Sequence, residues 1–143
     1  METIKIKYHT DDKIGVIPNG DWIDLRAAED VTLSMLEDKI ISLGVSIKLP
    51  EGYEAHIVSR SSTFKKWGII LVNGEGIIDN SYSGTDDVWK YHALCLKPEG
   101  SKIYKGDRIC QFRIFKKQPE VVFEECDKLD DKNRGGFGST GTN

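Results

Sequence analysis

Val45-Ser46-Ile47-Lys48-Leu49-Pro50-Glu51-Gly52-Tyr53-Glu54-Ala55-His56-Ile57-Val58 carries two β-runs around a turn. Residues 45–49 alternate apolar and polar with period two and stop at Pro50, which cannot donate to a ladder. Glu51-Gly52 marks the turn, and residues 55–58 begin the second run. The same pattern recurs on both sides. Residues 4–8 alternate likewise, and 69–72, 92–96, 109–115 and 121–124 read as further strands, with Asn73-Gly74 and Glu99-Gly100 as turns. Apolar residues hold a helical period nowhere except over residues 62–66, with Ser61 or Ser62 as N-cap and Gly68 as the stop. The fold expected is all-β, a compact and mostly antiparallel barrel or sandwich.

With 143 residues and a hydrophobic fraction of 38%, the chain can build one core. A formal charge of −3 argues against a surface that coats nucleic acid, though local charge decides whether a small anion binds. No run approaches the ~18 apolar residues of a membrane span, and the N-terminus does not read as a signal peptide. Cys95, Cys110 and Cys126 form no CxxC pair and no staple framework, which suits a reducing cytoplasm. Neither direct nucleic-acid contact nor a membrane partner is expected.

Several residues leave the β pattern. Ser59-Arg60-Ser61-Ser62 follows a strand and precedes the short helix: either a capped turn with a surface arginine, or an oxyanion cradle of hydroxyls, amides and a guanidinium. Gly106-Asp107-Arg108-Ile109-Cys110-Gln111 turns into a strand. Its Gln111 is a phosphate donor or a half-exposed strand residue. In Gly76-Ile77-Ile78-Asp79-Asn80-Ser81-Tyr82-Ser83-Gly84, Asp79 falls directly behind two bulky apolar residues. It can aim and deprotonate a water, or cap an Asx turn, while Tyr82 offers a flat face or covers core. Asp24 lies between Ile23 and Leu25, as a turn acid or as a carboxylate for a cation. The tail from Arg134 to Gly141 sets one cation and Phe137 among glycines, a frayed end or a ligand-bound arm. Acids for a metal and a water, donors for a polyphosphate and an aromatic for a ring together suit metal-assisted hydrolysis of a nucleotide phosphoanhydride. No GxxxxGK[ST] occurs, and no His/Cys/Cys zinc set points to a zinc deaminase.

The order of these motifs resembles the homotrimeric deoxyuridine triphosphatases, the dUTPases, across most of the chain. Residues 21–27, 59–68, 74–84, 106–111 and 134–141 are similar to that family's five motifs in sequence order. The resemblance implies a jelly-roll-like, β-clip trimer with sites shared between subunits, a β-rich core over residues 1–132 and a flexible arm over 133–143. It implies hydrolysis of dUTP to dUMP and pyrophosphate, which limits uracil in DNA and supplies dUMP for thymidylate synthesis. Asp79, Arg60 and Ser61 would be catalytic. Ser62, Asn73, Gly76, Ile78, Tyr82, Gln111, Arg134, Phe137, Gly138 and Ser139 would bind substrate, with Mg²⁺ near Asp24 through water. The resemblance extends to bacteriophage members, implying a phage or prophage source and the cytoplasm of a bacterial host. Alternatives are the related dCTP deaminase and a regulatory binding protein retaining a dUTP-responsive site. Trp22-Ile23, Ser59 and Cys110 depart from the usual motif residues. The segment between Gly84 and Gly106 looks longer than usual, and its surface loop 84–91 is a candidate for a regulatory partner.

Overall fold

A computed structural model describes residues 3–15, 20–138 and 140–141. Among the described residues, eleven strands and one short helix follow in the order β1 (Lys5–Tyr8), β2 (Ile23–Arg26), β3 (Val31–Leu33), β4 (Asp38–Ser42), β5 (Val45–Lys48), β6 (Tyr53–Ser59), α1 (Thr63–Trp67), β7 (Ile69–Leu71), β8 (Gly76–Ile78), β9 (Lys90–Cys95), β10 (Ser101–Ile103) and β11 (Arg108–Lys116). They pair as four antiparallel sheets: β1-β5, β10-β3, β2-β11-β6-β8 and β4-β9-β7. The all-β, antiparallel expectation therefore holds.

The alternation that predicts the strands also fills the core. Val45 and Ile47 are buried and Lys48 is exposed; in β9 Tyr91, Ala93 and Cys95 point inward. Leu25, Ile41, Leu43, Ile57, Ile69, Ile109 and Phe112 join them, with Trp89 edge-on to Phe112 at 5.1 Å between ring centroids. Burying each large side chain contributes about 1.5–3 kcal/mol. Gly68 ends α1 at φ 64°, and a Cβ there would lie 2.6 Å from Lys97 Cβ, so only glycine fits that stop.

Three expectations change. Residues 121–124 form no strand: they find no ladder partner, and Val122 and Phe123 stand almost fully exposed. Their apolar run is real, but among the described residues nothing covers it. Asp24 is not a turn acid, since it lies within β2 opposite Gln111 of β11. Segment 84–91 is only partly a surface, because Trp89 and Tyr91 are buried and Lys90 opens β9. Its backbone is tied down where Leu43 N–H donates to Trp89 O at 2.9 Å and Trp89 N–H to Val45 O at 2.8 Å. Within it, residues 84–86 and Lys90 remain exposed for a partner.

Candidate active site

The sheet β2-β11-β6-β8 carries the site residues in two separate groups. At one end, β6 runs out through Ser59 into α1, and Thr63 fastens that turn. Arg60 N–H donates to Thr63 Oγ1 at 2.8 Å, and the Thr63 hydroxyl donates to Ile109 O at 2.8 Å. Ser62 is the N-cap by position, yet its side chain makes no capping bond. Ser61 beside it is exposed. The Arg60 side chain turns back over the sheet, its Nε 3.0 Å from Asp24 Oδ1, while Arg108 Nη1 lies 3.3 Å from Asp24 Oδ2. Two guanidinium groups against one carboxylate leave a positive surplus on a half-open surface, which suits a polyanion. Gln111 sits next to Asp24 in register and donates to Ser59 O at 3.3 Å.

Burial pushes the Cys110 thiol far up, with the Asp24 charge adding to it and Arg60 opposing it. It stays protonated and is no nucleophile. Tyr91, pushed up to about 12 by burial, shares a 2.7 Å hydrogen bond with Ser59 Oγ and props the end of β6 from below. Its place was not evident in the sequence, where it falls at the end of the loop 84–91, just before the strand expected at 92–96.

The second group lines an open groove of about 300 Å³ formed by Asn73, Gly76, Ile77, Ile78, Asp79, Tyr82, Val88, Trp89 and Lys90 with Ile57. β8 is its outer wall. A Cβ on Gly76 would sit 3.3 Å from Ile57 Cβ, so glycine lets β8 approach β6 closely. Asp79 follows β8 directly and does form an Asx turn: Ser81 N–H donates to Asp79 Oδ1 at 2.7 Å, and the Ser81 hydroxyl donates to the same oxygen. The turn reading and the water-aiming reading thus coexist, because the second carboxylate oxygen stays exposed. Those two bonds, the hydroxyl's first, hold the Asp79 carboxyl below the usual range, so it is ionised at neutral pH. Asn80 anchors the turn by donating to Leu49 O at 2.8 Å and Pro50 O at 2.9 Å. Tyr82 donates its hydroxyl to Val88 O at 3.0 Å, which fixes its ring at the groove's edge.

One chain does not bring these two groups together. Ile78 pairs with Ala55, while Gln111 pairs with Val58 and Asp24 with Gln111. Asp79 and Asp24 are thus three strand spacings apart across the sheet and four residues apart along it, roughly 20 Å in all. A base must lie within about 3 Å of the proton it takes, or one water away. Arg134, Phe137 and Gly138 lie on the exposed tail, where residues 117–138 belong to no strand or helix. Ser139 lies outside the described residues.

Among the described residues, no three His, Cys, Asp or Glu side chains are grouped to hold a metal. A hydrated cation carried by phosphates needs no such cage, and the Asp24 carboxylate, 32% exposed, can accept from its water shell. Nor, among the described residues, is any helix long and apolar enough to cross a membrane.

Residues 22–141 match the dUTPase family model. The chain is 55% identical over 141 residues to the SPbeta prophage-derived deoxyuridine 5'-triphosphate nucleotidohydrolase of Bacillus subtilis (strain 168), covering 97% of this chain and 98% of that one. It is 44% identical over 123 residues to the deoxyuridine 5'-triphosphate nucleotidohydrolase of Finegoldia magna, covering 83% of each. The solved structure of Staphylococcus bacteriophage 80alpha dUTPase with dUPNHPP superposes with a TM-score of 0.81 at 23% identity, over 99% of this chain and 100% of that one. The Streptococcus mutans dUTPase superposes at 0.71 and 18% identity, over 87% and 100%. Those two likenesses speak for the fold, and the two sequence relatives for descent. The chain belongs to the dUTPase family.

Proposed function

We propose that this chain hydrolyses dUTP to dUMP and pyrophosphate, in sites completed by neighbouring copies of a jelly-roll-like trimer. The observation that carries the reading is the split itself. A water-aiming carboxylate beside a ring-sized groove and a cationic, hydroxyl-rich cluster lie too far apart for one chain to bring both to one phosphate. A second copy that sets its groove against the first chain's cluster joins them, and closed cyclic symmetry then completes every site equally.

In the joined site, Asp79 orients a water toward the α-phosphorus and receives its proton as the bond to the α–β bridging oxygen breaks. The exposed Asp79 oxygen is free for that water while the other is held by Ser81. A carboxylate held this low is a weak base, so aiming the water contributes more than removing its proton early. Arg60, Ser61, Ser62 and Gln111 surround the phosphates. Asn73, Gly76 and Ile78 line the base pocket, and Tyr82 packs under the deoxyribose. Arg134, Phe137, Gly138 and Ser139 close over the triphosphate as a flexible arm, residues 133–143. Family membership implies a divalent metal, which we assign as Mg²⁺ near Asp24. When bound, it neutralises charge on the phosphate oxygens.

Purified chain should release pyrophosphate from dUTP and no ammonia from dCTP. Sedimentation should give about three times the 16.1 kDa chain mass. Ammonia release would turn the reading to the deaminase, and a fully active monomer would refute shared sites.

The Asx turn makes a further prediction. Ser81→Ala removes the largest of the hydrogen bonds that depress the Asp79 carboxyl, so its pKa rises toward the ordinary value. Because hydrolysis needs the ionised form, the acid limb of kcat should move to higher pH. The plateau at neutral pH should change little. An unmoved limb would mean that another group sets it.

A further inference from the structure

We propose that His56 is a positioning residue for the base-reading hairpin, tying Glu75 at the head of β8 to β6 and so setting the width of the groove. The inference rests on the reading of that groove as the nucleobase site. β8 is three residues long and forms the edge of its sheet, paired among the described residues with β6 alone. So short an edge ladder holds weakly without help from side chains. Its far end is fastened by Asn80, bonded to the Leu49 and Pro50 carbonyls.

Its near end is fastened by His56, which stands in register with Ile77 of β8. His56 Nδ1 lies 2.6 Å from Glu75 Oε1, and His56 Nε2 lies 2.5 Å from Glu54 Oε2. Ionised carboxylates only accept, so both bonds require a hydrogen on each ring nitrogen, the imidazolium. Glu54 faces it from β6 itself and Glu75 from the hairpin. From β11 come the Phe115 ring, 4.4 Å away, and Arg113, which stands opposite His56 and reaches Asp21 at 3.5 Å. Burial opposes the charge, but the bonds and charges of Glu54 and Glu75 outweigh it and raise the His56 pKa above 6.5.

The clip therefore holds fully in mild acid and is lost as pH rises through that raised pKa. A neutral ring has one N–H for two carboxylates. Glu75, with 47% of its side chain exposed against 26% for Glu54, is the one that lets go. Releasing Glu75 loosens Asn73 and Gly76 beside it. Asp79 stays held from the Asn80 and Ser81 side, so substrate capture suffers while turnover is spared.

Steady-state kinetics of the full chain with dUTP across the neutral pH range, for wild type, His56→Gln and Glu75→Gln, test this. On the acid side, KM should rise about 10-fold in both variants, the scale of one charged hydrogen bond, with kcat within about twofold. The wild-type KM should climb with pH, and that climb should vanish in both variants. The substrate's own phosphate titration is common to all three proteins and cancels in the comparison. A lowered Tm with wild-type KM and pH profile in both variants would overturn the proposal, leaving His56 a structural residue only. Active wild type with unchanged variants refutes the clip alone, whereas wild type that fails to hydrolyse dUTP refutes the reading beneath it.

Discussion

Asp79→Asn should lower kcat at least ~100-fold while dUTP still binds and the fold keeps its Tm. Asparagine keeps the size and the Oδ1 acceptor that Ser81 N–H and Oγ–H use, so the Asx turn survives. It removes the negative charge and the second carboxylate oxygen, and with them the means to orient a water and take its proton. If Asp79 served only the turn, the same variant would keep near-normal turnover. Mixing sharpens the test. Asp79→Asn and Arg60→Ala should each be inactive alone, yet subunits unfolded and refolded together should regain part of the activity. Where sites are shared, some sites of the mixed assembly join an intact groove from one copy to an intact cationic cluster from another. No regain would mean that both groups act from one chain, against the roughly 20 Å that separates them in the sheet.

Strands were legible where the inward and outward faces differ, as in β9, whose Tyr91, Ala93 and Cys95 are buried and which the sequence placed at residues 92–96. There, period two reports burial directly. β3 and β10 escaped notice because three residues with a polar one among them show neither a period nor an apolar run, whereas the equally short Ile69–Leu71 shows the run. β2 escaped because Asp24 interrupts its apolar run, and a strand that carries a functional charge loses the pattern that marks a strand. Residues 121–124 erred in the other direction: the pattern is that of a strand, but pairing is a property of the assembly and not of local sequence. The same limit governs the site. Gly76, Ile78, Asp79 and Tyr82 were found together because one hairpin holds them, and Arg60, Asp24 and Gln111 because the motifs stood out singly. That the two groups lie at different places on the sheet follows only from strand order, which no spacing reveals. Trp89 looked like surface because an acidic, glycine-flanked loop precedes it. In the fold, the backbone bonds between Trp89 and both Leu43 and Val45 draw it inside.

Truncation after Lys132 should leave assembly and Tm nearly unchanged and cut kcat/KM for dUTP at least ~100-fold. The first half follows from position: residues 133–138 are exposed, belong to no strand or helix, and so contribute no core. The second half follows from composition. Gly135, Gly136, Gly138 and Gly141 all take positive φ, a region other residues rarely enter, so the segment can adopt turns closed to an ordinary chain. Ordering it costs about 1–2 kcal/mol per residue, a cost that a bound triphosphate would offset through Arg134 and a nucleobase through Phe137, which is fully exposed in the free chain. Closure would exclude bulk water and strengthen every interaction around the phosphates. Phe137→Trp should therefore change its fluorescence on adding a non-hydrolysable dUTP analogue with Mg²⁺. It should change far less with dUMP, which lacks the β and γ phosphates that Arg134 would meet. Full activity in the truncated chain would make the tail a frayed end. Dissociation of the assembly would instead make it a strap between subunits, and the fluorescence change would then depend on protein concentration rather than on the ligand.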